Sequence, residues 1–171
     1  MLERVVGVFK LDPQTFEEIE HDPNATTQAA QIVAVVALIS GVGSALFASF
    51  SSSGVMGGFL SSFVSTFIGW IVWSVITFVV GTNLFGGKAD VGEMLRVIGF
   101  AFAPQVLGII PCLGALVGGI WSLIAGFIAV RQGLDLDNTK TALTIGIGFI
   151  GYVILAAILG SMLGGASMVF G

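Results

Sequence analysis

Charge is what this sequence has least of. Only 9% of its 171 residues are charged, where a soluble domain carries roughly 25%. That deficit excludes an ordinary water-soluble globule. A single cysteine, Cys112, rules out an intrachain disulfide. A single histidine, His21, has no cysteine or second histidine nearby, which argues against a zinc site. No G-x-x-x-x-G-K-S/T stretch is present to cradle a nucleotide phosphate. The net charge of −4 disfavours binding to nucleic acid. A cleavable signal peptide is not expected either, because the first strongly apolar run begins near Ala29, behind an acidic stretch.

What the chain does have is apolar length. Hydrophobic residues make up 56%, the mean hydropathy is +1.04, and there are 25 glycines, a residue frequent in membrane helices. The charges are confined to three short segments. The first holds Glu3, Arg4, Lys10, Asp12, Glu17, Glu18, Glu20 and Asp22. The second holds Lys88, Asp90, Glu93 and Arg96, and the third Arg131, Asp135, Asp137 and Lys140. Charge is costly in hydrocarbon, so the uncharged runs between them read as membrane spans. The expected spans cover residues 29–50, 58–81, 91–110, 115–130 and 141–162. The expected fold is all-α: a polytopic bundle of five transmembrane helices preceded by one or two short amphipathic interfacial helices. Residues 1–28 form the cytoplasmic, interfacial part and 29–171 the transmembrane domain. Pairs of spans separate the charged segments, which therefore share one face. By the positive-inside rule that face is cytoplasmic, with the N-terminus inside and the C-terminus outside.

Local signals support this division. Leu2, Val5, Val6 and Phe9 recur at helical spacing. Asp12-Pro13 and Asp22-Pro23 each pair a good N-cap with a proline suited to the first helical turn. Phe16 and Ile19 make the apolar side of the second helix, and Glu17, Glu18 and Glu20 read as its solvated face. Asp90 with Glu93 resembles a capping box that starts span three. Arg96, one turn in, is placed to pair with Glu93 or to snorkel to the interface. Asp137 is a candidate N-cap for span five. Trp70 and Trp73, near the middle of span two, read as buried packing.

Small residues at spacing four mark faces of close helix contact. They are Ala37, Gly41, Ala45 and Ser49 on span one, and Gly114, Gly118, Ser122 and Gly126 on span four. Ala156, Gly160 and Gly164 give span five a similar face. Span four, at 115–130, is short for a ~30 Å hydrocarbon core, unless it borrows residues 112–114.

No catalytic constellation, cofactor site or metal site is evident, and an enzyme is not expected. The absence of ionisable groups at depth weighs against ion-coupled transport. Pro104-Gln105 is the exception to a featureless interior. Proline there should kink span three, and Gln105 brings an amide to mid-membrane. That amide either lines a pocket, lipid groove or partner interface, or bonds between helices. Asn83 reads as a helix-end residue. The candidate functional or structural residues are thus Asn83, Lys88, Glu93, Arg96, Pro104 and Gln105.

Residues 85–133 resemble the Yip1 domain family of small polytopic membrane proteins. The match runs through Gly86-Gly87-Lys88, then Glu93-Met94-Leu95-Arg96-Val97 into Gly99-Phe100 and Pro104, and on to Gly133. Leu11-Asp12-Pro13-Gln14-Thr15-Phe16, Ile19 and Asp22-Pro23 resemble the prokaryotic members. The resemblance implies five helices and a cytosolic N-terminus. Eukaryotic members act in vesicle traffic and associate with Rab-type GTPases and with each other. This chain lacks their long cytosolic N-terminal region with its Asp-Leu-(aromatic)-Gly-Pro motif, which argues against GTPase binding. The expected protein is a non-enzymatic, membrane-organising or trafficking-like scaffold in a prokaryotic plasma membrane. Its expected partners are the lipid bilayer and other membrane proteins or a second copy of itself. The alternative is a small-solute or lipid transporter, or scramblase, with a pocket near Pro104 and Gln105. A third expectation, a subunit of a larger complex, would leave the span-four glycine stripe exposed.

Overall fold

The computed structural model describes the backbone of residues 1–48, 55–110 and 113–169, and the side chains of 1–43, 56–110 and 113–158. Among the described residues the only regular secondary structure is helix. Two short helices, α1 (Leu2–Phe9) and α2 (Pro13–His21), precede the long α3 (Ala25–Ala48) and α4 (Val55–Phe85). The shorter α5 (Val91–Ala101) continues as a 3₁₀ segment, Ala103–Ile109. Then come α6 (Leu113–Gly133) and α7 (Asn138–Val169). Five stretches are long and apolar enough to cross a membrane, with α5 and its 3₁₀ continuation counting as one.

Along α4 the bundle has large apolar side chains outside and polar ones inside. Leu60, Val64, Ile68, Ile71, Val75 and Val79 form an exposed apolar stripe along α4, whereas Ser74 and Thr77 are fully buried. Their hydroxyls donate to the carbonyls of Trp70 and Trp73, so their polar atoms are satisfied within the helix. That distribution suits a hydrocarbon solvent, in which exposed Leu and Ile cost nothing and every polar group needs an internal partner.

Span three differs from a simple proline kink. The α-helix stops at Ala101, and the chain tightens into 3₁₀ geometry, with the Gln105 amide bonded to the Phe102 carbonyl at 2.9 Å. An α-helix would have sent that amide to the Ala101 carbonyl. Ser122 of α6 takes its place, donating to the Ala101 carbonyl at 2.8 Å. The hydroxyl thus supplies the partner that a helix break in hydrocarbon requires.

The small-residue stripe of α6 faces this same break, but only in part. A Cβ on Gly114 would collide with the Leu107 carbonyl, and one on Gly118 would sit 2.6 Å from the Pro104 carbonyl. Gly126 faces open space, while Ala125 and Ala129 are fully buried. Spacing four advances about 40° per step around an α-helix, so the contact face passes from Ser122 to Ala125. The stripe is therefore buried at Gly114 and Gly118, half-buried at Ser122, and open beside Gly126. On α3, Ala37 and Gly41 are buried, while the side chains of Ala45 and Ser49 lie outside the described residues. Ala156 of α7 is exposed, and Gly160 and Gly164 lie outside the described side chains. α7 packs instead through Thr141, Thr144 and Gly148, all buried, with Gly148 in contact with Ile76. α6 is also longer than the expected fourth span and reaches Gly133. Pro111 and Cys112 lie outside the described residues, as does the expected linker 51–54.

The two short helices form a hairpin packed on the bundle. Val8, Phe16 and Ile19 are fully buried in one core with Met94, Val97 and Phe100 of α5 and Ala125 and Ala129 of α6. The Phe9 carbonyl accepts from the Trp121 indole at 3.1 Å. Trp121 lies about 18 Å along α6 from Gly133 at the usual helical rise, so α1 reaches well down the bundle. Leu11 closes α1 with φ +58°, the Leu11 amide bonding Val8 and the Asp12 amide bonding Gly7. Asp135 (φ +53°) ends α6 in the same manner. Both are Schellman closures without glycine.

Candidate functional site: the charged end of the bundle

All three charged segments contribute to one end of the bundle, the first of them through Glu17 and Glu20. The α4–α5 and α6–α7 loops are joined by the Lys88 amide bonding the Leu134 carbonyl at 3.0 Å. The Lys88 side chain is exposed. Asp90 and Glu93 form a complete capping box: the Glu93 amide bonds Asp90 Oδ1 at 2.8 Å, and the Asp90 amide bonds Glu93 Oε2 at 2.6 Å. Asn83 is exposed and donates to its own helix at Val79. Asp137 caps α7 through the amides of Thr139 and Lys140.

Arg96 neither pairs with Glu93 nor snorkels. It is 9% exposed and donates from Nε and Nη2 to the Glu20 carbonyl, at 2.9 and 2.6 Å. That carbonyl belongs to the last turn of α2, where carbonyls lack intrahelical partners and carry the negative end of the helix dipole. A guanidinium there satisfies the orphan acceptor and the field together. A second tie runs from α6, with Gln132 Nε2 donating to Glu17 Oε1 at 2.7 Å. Arg131 in turn bonds Gln132 and Asn138. The hairpin is therefore clamped by α5 and by α6.

The reading of Glu17, Glu18 and Glu20 as one solvated face holds for Glu18, which is exposed. Glu20 is 5% exposed, and its Oε2 has no hydrogen-bond partner among the described residues. Burial, followed by the neighbouring Glu17 carboxylate, pushes its carboxyl up to about 7. Glu93 and Asp135 act in the same direction, against His21. His21 is itself raised by its bond to the Glu17 carbonyl (Nδ1 to O, 2.9 Å) and by Glu20. The sequence signal for Glu20 was its position four residues after Phe16, on the face that buries Phe16 and Ile19.

On the other side of the hairpin a polar cleft of about 440 Å³ is lined by Glu3, Arg4, Thr15, Glu18 and Asp22. Arg4 forms an ion pair with Asp22 at 2.7 Å, and its hydrogen bond holds the Asp22 carboxyl below the usual range. Beside the cleft, Leu2 and Val6 are 77% and 50% exposed.

Deeper in the bundle, Pro104 is buried against Gly118, and Gln105 is half-buried on the 3₁₀ segment. The Gln105 amide side chain makes no hydrogen bond to a described residue. Trp70 is buried as expected, but it also bonds across helices, its Nε1 donating to the Leu95 carbonyl at 3.0 Å. Trp73 meets Tyr152 of α7 edge-on, with ring centroids 6.1 Å apart.

No curated protein and no solved structure matches this chain. The Yip1 domain family model matches residues 6–160, covering most of the docked hairpin together with the five spans. The chain is an integral membrane protein that belongs to the Yip1 domain family.

Proposed function

We propose that this protein is a non-enzymatic scaffold or assembly factor that engages membrane partners through its hairpin end, in a trafficking-like, membrane-organising role. The observation that carries this reading is the fixed hairpin: it is held by Arg96 and Gln132 yet leaves Leu2 and Val6 exposed beside a polar cleft. A rigid apolar patch with a charged rim is a surface suited to a protein or lipid-surface contact. The same reading places this end in the cytoplasm and the C-terminus outside, in a prokaryotic plasma membrane. Site-specific photocrosslinking in native membranes tests it. A crosslinker at position 2 or 6 should give discrete protein adducts that a crosslinker at the lipid-facing Ile150 does not. Lipid adducts alone from all three positions would overturn it.

A second reading, a small-solute or lipid transporter beside Gln105, draws on one observation: a half-buried amide without a described partner on a 3₁₀ segment. It expects flux or lipid scrambling in proteoliposomes that Gln105→Leu reduces. Rates equal to those of empty vesicles would dispose of it.

A further inference from the structure

The last turn of α2 gathers three ligand-type side chains. Glu17, Glu20 and His21 stand at helical spacings of three and four, and one ligand atom from each lies within 4.8 Å of the others. Around a divalent metal, bonds of about 2.0–2.2 Å put neighbouring ligands roughly 3–3.5 Å apart, so small side-chain adjustments close the set.

Three features distinguish this turn from an ordinary acidic helix face. Glu20 is 5% exposed, and the buried Oε2 of its carboxyl has no partner among the described residues. A buried carboxylate oxygen without a donor is a costly arrangement unless a proton or a metal cation meets it. The neighbouring charge adds to that cost, because Glu93 of α5 and Asp135 of the α6–α7 loop act on Glu20 with the same sign as Glu17. The Arg96 guanidinium is committed through Nε and Nη2 to the Glu20 backbone carbonyl.

The turn is also held in place for ligation. His21 Nδ1 lies 2.9 Å from the Glu17 carbonyl, which can only accept, so in the neutral imidazole Nδ1 carries the proton and Nε2 keeps the lone pair for a metal. A backbone acceptor on the far nitrogen is the usual orienting partner of a metal-bound imidazole. Gln132 fixes Glu17 through Oε1 and leaves its other oxygen available. His21 is exposed and Glu17 half-buried, so an ion can enter from solvent, and water can complete its coordination.

We infer that Glu17, Glu20 and His21 form a binding site for a divalent first-row metal ion of the manganese, iron or zinc type, on the last turn of the docked hairpin. One imidazole with two carboxylates suits those ions. Bound there, the ion neutralises the carboxylate cluster and stiffens the turn that Arg96 anchors.

The test uses the full-length, tag-free protein in detergent micelles, titrated with Mn²⁺ and observed by electron paramagnetic resonance, with Zn²⁺ as competitor. One Mn²⁺ per chain should bind saturably, be displaced by Zn²⁺, and show nitrogen modulation from one imidazole. His21→Ala, at an exposed position that folding does not need, should remove the nitrogen signal and weaken binding at least about tenfold. Glu20→Gln should weaken it comparably, whereas Glu18→Gln should leave it unchanged. Absence of saturable binding, or unchanged affinity in either His21→Ala or Glu20→Gln, overturns the assignment. The readout is independent of partner capture, so its failure and that of the proposed scaffold role are distinguishable.

Discussion

Replacing Arg96 with alanine should release the hairpin while leaving the bundle folded. Arg96 contributes two charge-assisted bonds to one carbonyl, and hydrogen bonds to charged groups are worth about 1.5–3 kcal/mol net. Its removal also leaves the Glu20 carbonyl without a donor, although it relieves the cost of burying the guanidinium. The balance is a loss of about 2–4 kcal/mol of docking free energy. The apolar contacts of Val8, Phe16 and Ile19 remain, each worth about 1.5–3 kcal/mol, so the hairpin opens more often without detaching for good. At 1.4 kcal/mol per decade, the open population should rise by roughly 30- to 700-fold. Hydrogen exchange by mass spectrometry in nanodiscs reads this directly. Amides of α2 should lose protection by that factor, and those of α4 and α7 should not. Arg96→Lys should fall between, because an ammonium lacks the planar fork. Unchanged protection of α2 would refute the clamp. Equal loss throughout would show that Arg96 supports the whole bundle.

Glu20 gives stability an unusual pH dependence. Its folded pKa of about 7 lies above the ordinary 4.5, so the folded state holds the extra proton. Its contribution is therefore greatest below about pH 4.5, falls as pH rises to about 7, and stays low beyond. The full linkage would be on the order of 3 kcal/mol, and solvent at the bundle rim reduces it to roughly 1–2 kcal/mol. Measured with chelator present, Glu20→Gln should raise the melting temperature at pH 8 more than at pH 5.5; an equal shift at both would contradict the burial argument. Gly118→Ala should destabilise the bundle, because its Cβ would meet the Pro104 backbone carbonyl at 2.6 Å, while Gly126→Ala should be neutral or stabilising. The reverse order in thermal melts would refute the packing face. Ser122→Ala should cost about 0.6–1.7 kcal/mol in the same melts, the range for hydrogen bonds between membrane helices. No loss would mean that the Ala101 carbonyl finds another donor.

How much of this was legible beforehand depended on how local the governing physics is. The caps at Asp12, Asp90 and Asp137 involve amides two or three residues away, and all three form as the sequence suggests, whereas Asp22 ends α2 and bonds the Asn24 amide in the turn before α3. Gly114 and Gly118 were found by spacing. Gly126 was misplaced because strict spacing four drifts off the face that 3.6 residues per turn maintain. Pro104 identified the break in span three, but not its 3₁₀ continuation. Local composition does not say which donor will reach the Ala101 carbonyl. For Arg96 the sequence offers Glu93, the partner nearest in sequence, or the interface. Its actual acceptor lies 76 residues away.

The sequence by itself determined that the chain crosses the membrane and which segments share an end. The cost of desolvating charge in hydrocarbon is large, depends only on residue type, and leaves few placements for the charged side chains. Tertiary structure alone decided what those charged residues do. Docking α2 across α5 and α6 turned Arg96 into a clamp, left Glu18 in solvent, and buried Glu20 two residues on. A helix fixes the angle between neighbouring side chains, but only packing selects which of those angles faces the core.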